Sequence, residues 1–180
     1  MCIRDRMYTL LLLLIYLAFI SLGLPDSLLG SAWPVMHKAF QVPLSYAGLV
    51  TMIISGGTIC SSLMSERLTK KFGTQIVTVF SVMLTAIALF GFSTASAFWM
   101  LCLWAVPYGL GAGAIDAALN NYVALHYNPR HMSWLHCFWG LGTIISPYVM
   151  SYALTTSVWQ NGYRMVSFIQ IGICLLYTSD

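Results

Sequence analysis

The chain has 180 residues, of which 59% are hydrophobic and only 7% are charged, whereas a typical soluble domain has about 25% charged residues. So few charges cannot cover a surface that faces water on all sides, which excludes an ordinary soluble domain. The formal net charge of +3 comes from a few basic residues between apolar blocks, so it does not indicate nucleic-acid binding. The composition predicts a polytopic membrane protein.

Six apolar segments follow one another along the chain. They cover residues 7–33, 45–65, 75–92, 98–122, 133–154 and 162–173. The first five have about the length of 20 residues that a helix needs to cross a bilayer, and the first contains a break signal at Gly23 and Pro25. Their apolar and polar residues do not alternate as in a membrane barrel. We therefore predict an all-α bundle over residues 7–173, with about six transmembrane helices and a truncated sixth.

The two ends of the chain differ from the segments between them. The first six residues, MCIRDR, and the last seven, CLLYTSD, can be back-translated as one inverted DNA element read in two frames. That element resembles the mosaic end of a transposase-based sequencing adaptor. We therefore expect residues 1–6 and 174–180 to be foreign, and we expect the natural chain to continue beyond residue 173.

Basic residues are distributed unequally between the two sides of the predicted bundle. One side carries Arg67, Lys70, Lys71 and Arg130. The other side carries Lys38 and Arg164. Because cytoplasmic loops have an excess of Lys and Arg, we expect the first side, together with the N-terminus, to be cytoplasmic. The plasma (inner) membrane is the predicted location.

Three acidic residues lie between the two ends: Asp26, Glu66 and Asp116. Glu66 falls in a predicted loop. Asp116 follows a long apolar run, and a charge at the centre of a membrane helix costs roughly 2.5–3.5 kcal/mol even on a mild scale. Since Asp116 shares one helical face with Gly109 and Asn120, we expect it to face a bundle interior or a wet cavity. The alternative is that Asp116 lies near the cytoplasmic end of its helix and is hydrated there.

Asp26 presents a similar choice. It follows Pro25 and could cap a new helix after a short first span. Apolar residues continue well beyond it, however, and Gly23, Asp26 and Gly30 share one helical face. Asp26 and Asp116 lie on the first and fourth predicted helices, which are equivalent if the bundle consists of two three-helix inverted repeats. Paired acids on equivalent helices are what a proton and solute pathway would use.

The fifth segment adds His136 and Trp139. A solvated histidine titrates near neutral pH, and an indole face can stack on a sugar ring, although interhelical packing is the alternative for both. The sequence has no HExxH, no GxSxG and no paired Cys–His metal spacing. We therefore predict no enzymatic activity, no cofactor and no metal site.

The chain resembles the N-terminal half of a transporter of the major facilitator superfamily. In that family the loop between helices two and three reads Gly-x-x-x-Asp-Arg-x-Gly and is followed by basic residues. The matching stretch here is SLMSERLTKK, residues 62–71, in which Ser and Thr stand in place of the two glycines. The resemblance implies that Glu66, Arg67, Lys70 and Lys71 form part of a latch at the cytoplasmic gate.

Within the superfamily the chain looks most like the fucose:proton symporter branch. That branch carries an Asp on helix one, which Asp26 matches, and an acid on helix four in a Glu-Thr-Ala-Ala-Asn-Pro-like stretch. In the corresponding stretch IDAALNNY, Asp116 matches the acid, Asn120 matches the amide and Asn121 stands in place of the proline. The resemblance implies that the two acids carry proton coupling and contact sugar hydroxyls.

On helix five the branch has an Asn near a Phe-x-x-Phe-Gly stretch. Here Trp139 occupies that position in FWGLG, and His136 replaces a Gln. The residues that we predict to bind substrate are therefore Asn120, Asn121, His136 and Trp139.

We predict that the protein is a secondary active transporter, and specifically a proton-coupled symporter of a sugar or similar small polar solute that works by alternating access. The expected partners are the solute, the proton, the lipid bilayer and a missing C-terminal half of the same chain. Two alternatives stay open: drug or metabolite efflux within the same superfamily, and a non-transporting scaffold or receptor in which the acids pair structurally.

Overall fold

A computed structural model describes the backbone of residues 2–178 and the side chains of residues 9–176 and 178. Over these residues the chain forms six α-helices and no strand: α1 (Cys2–Ala39), α2 (Tyr46–Phe72), α3 (Thr74–Thr94), α4 (Phe98–His126), α5 (Pro129–Thr156) and α6 (Trp159–Thr178). Five of the six, α1 to α5, are long and apolar enough to cross a membrane. The predicted class, an all-α polytopic membrane protein, is confirmed.

The two ends that we expect to be foreign extend the first and last helices. The α1 helix begins at Cys2 and α6 continues to Thr178, and Cys174 is buried. Met1, Ser179 and Asp180 lie outside the described residues. The foreign origin of both ends stays a prediction.

The first helix runs without interruption through its predicted break. Pro25 and Pro34 both lie inside α1, so the break signal was wrong, and so was the alternative in which Asp26 caps a new helix. Proline is tolerated in membrane helices because neighbouring helices and side chains satisfy the freed backbone groups. Pro25 is buried in the bundle. Asp26 therefore lies within a continuous helix.

The second predicted boundary was also wrong. Glu66, Arg67, Lys70 and Lys71 belong to the last turns of α2 and not to a loop. The helix ends where the amide of Gly73 donates to the carbonyl of Thr69 at 2.9 Å. Gly73 has φ 86 and ψ 155, a conformation essentially restricted to glycine, and α3 begins at the next residue.

The helix pairs obey a repeat symmetry. The most extensive packing joins α1 to α5 and α2 to α4, followed by α3 to α4 and α3 to α6. If the chain consists of two three-helix repeats, α1 corresponds to α4, α2 to α5 and α3 to α6. The α1–α5 pair then corresponds to the α2–α4 pair, and the α3–α6 pair corresponds to itself. Because three spans bring a chain to the opposite side of a bilayer, the second repeat is inverted. The predicted two three-helix repeats agree with this packing.

Glycines set the close approach of α2 to α4. A Cβ atom added to Gly109 would overlap the carbonyl oxygen of Ile54, and one added to Gly113 would overlap the carbonyl oxygen of Thr58. Gly57 lies opposite, where an added Cβ would be 3.2 Å from the Cα atom of Gly109. Small residues at such spacing let membrane helices pack backbone to backbone.

The equivalent pair, α1 and α5, uses the same device. A Cβ added to Gly23 would overlap the carbonyl oxygen of Trp139, and one added to Gly142 would overlap the carbonyl oxygen of Ile20. Gly23, which the sequence suggested as a break signal, is thus a packing residue. In both helix pairs, glycines therefore pack directly on the backbone of the facing helix.

We predict that Gly109→Ala lowers the free energy of unfolding by about 1–3 kcal/mol, because the added methyl group must push α2 away from α4. Gly172→Ala is the matched control, since a Cβ at Gly172 meets no atom within 4 Å and alanine favours the helical backbone. Reversible unfolding in mixed micelles measures both. Equal stability of the two variants would contradict the close packing of α2 on α4.

Candidate functional site

A cavity of about 670 Å³ lies among α1, α2, α4 and α5. Asp26 of α1, Asp116 of α4, and His136 and Trp139 of α5 line it. The structure therefore brings both intramembrane acids to one cavity, together with the two predicted residues of the fifth helix. Asp116 lines the cavity and its side chain is exposed.

Asp26 is held by donors from two other helices. The hydroxyl of Tyr108 on α4 donates to Oδ1 at 2.9 Å, and the indole Nε1 of Trp139 on α5 donates to Oδ2 at 3.0 Å. Tyr108 is 3% exposed. One carboxylate thus joins α1, α4 and α5, and both of its oxygens accept a hydrogen bond.

Asp116 has a different environment. The amide Nδ2 of Asn120, one turn further along α4, donates to its Oδ1 at 3.0 Å. The Oδ1 atom of Asn120 is buried and has no hydrogen-bond partner among the described residues. His136 lines the same cavity, and its ring packs edge-on against Phe19 with ring centroids 6.3 Å apart.

The two acids occupy equivalent places in the two repeats. Each follows a glycine by three residues, Gly23 before Asp26 and Gly113 before Asp116. Each glycine packs on the backbone of a residue that itself lines the cavity, Trp139 on α5 for Gly23 and Thr58 on α2 for Gly113. A Gly-x-x-Asp unit therefore combines the tight helix contact with the acid, and this unit occurs once in each repeat.

The α2 wall of the cavity was not predicted. Besides Ile54, it contains Thr51, Ser55 and Thr58, whose spacing of four and three residues places them on one helical face. Thr51 donates its hydroxyl to the carbonyl of Ala47 at 2.7 Å, and Thr58 donates to that of Ile54 at 2.8 Å. Since both threonine hydroxyl protons are used within the helix, their oxygen lone pairs remain as acceptors. The spacing of these small hydroxyl residues in the sequence could have predicted this wall.

Tyr108 was also missed. Nothing in the local sequence distinguishes it from a packing tyrosine, because its role depends on the position of α1. As far as the structure describes its lining, the cavity wall contains two carboxylates and no Lys or Arg. Over the described part of the chain, no group of three or more His, Cys, Asp or Glu side chains could hold a metal ion.

The other predicted residues lie outside this cavity. Asn120 touches it only through its hydrogen bond to Asp116, and Asn121 is exposed on α4 and does not line it. At the end of α2, Lys70 and Glu66 form an exposed ion pair at 2.6 Å, and such pairs contribute at most about 1 kcal/mol. Arg67 and Lys71 are exposed beside them. The gate role of these four charged residues stays a prediction.

The fold and the cavity define a multi-pass membrane protein of six helices, four of which line one site. The sequence profile of the Major Facilitator Superfamily matches residues 15–179, which is nearly the whole chain. The protein belongs to the Major Facilitator Superfamily.

Two curated relatives are similar over most of the chain. "Bypass of stop codon protein 6" from Saccharomyces cerevisiae is 24% identical over 157 residues, which are 85% of this chain and 31% of that protein. "Glucose/mannose transporter GlcP" from Bacillus subtilis is 22% identical over 155 residues, which are 84% of this chain and 38% of that protein. The chain thus spans about a third of the length of these relatives.

We predict that the cavity holds water. In a background without native cysteines, Ser55→Cys should react with a charged, water-soluble thiol reagent, because the reactive thiolate forms in water and not in hydrocarbon. Ile87→Cys is the control, since Ile87 is exposed on α3 away from the cavity. Labelling in intact vesicles measures both rates. A Ser55→Cys thiol as inert as that of Ile87→Cys would show a dry cavity.

Proposed function

We propose that the chain is the N-terminal bundle of a proton-coupled symporter for a sugar or a similar polyhydroxylated solute. The observation that carries the proposal is the convergence of two acids from equivalent helices on one cavity. The likeness to a glucose/mannose transporter and the resemblance to the fucose:proton branch support a sugar as the solute.

In this proposal Asp116 is the proton-carrying group. A carboxylate in low-dielectric surroundings is costly when ionised and unpartnered, whereas its protonated form is neutral. Asn120 can bond to either form, because its amide has both donors and an acceptor. Proton binding at Asp116 would therefore permit the loaded cavity to turn through the membrane, which couples the proton to the solute.

The proposed solute contacts are rich in acceptors. Asp26 offers a carboxylate, and Thr51, Ser55 and Thr58 offer hydroxyl oxygens. A sugar has many hydroxyl donors to match them. Trp139 adds an aromatic surface whose indole nitrogen is already bonded to Asp26, so its ring edge is fixed in position.

Alternating access requires a partner for the open faces of the bundle. Among the five helices that can cross a membrane, α2 and α5 bury the smallest share of their residues, and both contribute to the cavity wall. We propose that a second bundle covers these faces and that the site lies between the two. We also propose a cytoplasmic N-terminus in the plasma membrane, since Arg67, Lys70, Lys71 and Arg130 are on that side.

A second candidate is efflux of a cationic drug or metabolite. The absence of Lys and Arg from the cavity wall favours a cation there as well. Uptake of labelled sugar into inside-acidic and outside-acidic vesicles, compared with efflux of a labelled organic cation, separates the two. A scaffold that transports neither is the third outcome.

We predict that Asp116→Asn, which mimics a permanently protonated carboxyl, abolishes accumulation of solute driven by a pH gradient but spares counterflow exchange. The assay uses proteoliposomes containing the protein expressed from its complete natural gene. Counterflow in the same vesicles controls for folding and solute binding. If the variant still concentrates solute with wild-type pH dependence, Asp116 does not carry the proton.

We predict that Ser55→Ala and Thr58→Val each raise the KM for the sugar by roughly two- to tenfold, the range expected when one hydrogen bond of about 0.5–1.5 kcal/mol is lost. Thr155→Val is the matched control, because Thr155 is exposed on α5 and donates to its own helix at Tyr152. Initial uptake rates over a range of sugar concentrations measure the effect. A KM unchanged in both cavity variants would exclude the α2 wall from solute binding.

A further inference from the structure

The two acids of the cavity differ in the number of donors that hold them. Asp26 has a donor on each carboxylate oxygen, Tyr108 on Oδ1 and Trp139 on Oδ2. Among the described side chains, Asp116 has a donor on Oδ1 alone, from Asn120. This difference assigns them different chemistry, although they occupy equivalent positions in the repeats.

The donors around Asp26 favour its ionised form. An indole N–H can only donate, so Oδ2 must remain an acceptor. A proton on Oδ1 would weaken the bond from Tyr108, because the hydroxyl oxygen of a carboxylic acid is a poorer acceptor than a carboxylate oxygen. Tyr108 is 3% exposed, and weakening the bond of a buried donor costs free energy.

The surroundings of Asp116 permit a proton. The buried Oδ1 atom of Asn120 has no partner among the described residues. A rotation of the amide would present this oxygen to a protonated Asp116 and give it an acceptor. The same side chain can thus serve the ionised acid as a donor and the protonated acid as an acceptor.

We propose that Tyr108 is a positioning residue that holds Asp26 as a fixed, ionised acceptor for the solute, so that only Asp116 exchanges the proton. The proposal rests on the proposed function and deepens it, because it gives solute binding to Asp26 and proton exchange to Asp116. The titratable groups that face Asp26 across the cavity are Asp116 and Tyr108 from α4 and His136 from α5, whereas α2 contributes only hydroxyl groups.

Infrared difference spectroscopy of the 180-residue chain in lipid bilayers tests directly which of the two acids exchanges a proton. A protonated carboxyl has its own carbonyl band, and the chain has only five acidic side chains. We expect a band that titrates with pH, disappears in Asp116→Asn and persists in Asp26→Asn. In Tyr108→Phe we expect a second titrating band, which disappears when Asp26→Asn is added.

Tyr163→Phe is the matched control. Tyr163 is also buried, at 1% exposure, and packs against Phe92 as Tyr108 does, but its hydroxyl contacts the sulfur of Met36 and no acid. Its spectrum should equal that of the wild type. Trp139→Phe removes the other donor from Asp26 and should also produce a second titrating band, so the test does not depend on one variant folding.

Two results would overturn the proposal. One is a wild-type band that disappears in Asp26→Asn, which would make Asp26 the proton carrier. The other is a spectrum of Tyr108→Phe and Trp139→Phe that matches Tyr163→Phe. The spectra require no transport, so a failure of the proposed symport would leave them unchanged and be recognised separately.

Discussion

The cost of a carboxylate in a bilayer is the constraint on which the arrangement of this bundle depends. An acid on a membrane helix must face other helices or water, because lipid offers it no partner. Because both α1 and α4 carry an acid, the acid-bearing faces of both helices point into the same cavity. The glycines that precede the acids by three residues bring α5 against α1 and α2 against α4, which places the remaining walls around that space.

The two repeats contain the same unit in different surroundings. Gly-x-x-Asp occurs on both α1 and α4, and each copy packs on the backbone of a cavity-lining residue from the other repeat. The difference lies in the side chain at that contact. On α5 it is Trp139, which bonds to Asp26, whereas on α2 it is Thr58, whose hydroxyl bonds to its own helix. A symmetric backbone therefore supports an asymmetric pair of acids.

The sequence predicted the parts of the fold that depend on local chemistry. Apolar length predicted the helices, and residue spacing predicted that Asp116 faces inward. The helix ends were harder, because charged residues such as Lys70 were assigned to a loop although helical backbone bonds and the Glu66–Lys70 pair continue through them. Pro25 was interpreted as a break because its effect depends on neighbouring helices. The bonds of Tyr108 and Trp139 to Asp26 join residues 82 and 113 positions apart, and no local pattern encodes such a pairing.

Trp139 connects the chemistry of the cavity to the packing of the bundle. Its backbone carbonyl is the surface on which Gly23 packs, and its side chain bonds to Asp26, one turn further along α1. The α1–α5 junction is thus held by a tight backbone contact and a side-chain hydrogen bond within the same turn. A solute hydroxyl that bonds to Asp26 must share the carboxylate with the indole or displace it. In the proposed symporter, displacement would remove this hydrogen bond from the junction, which would link solute binding to the packing of α5 on α1.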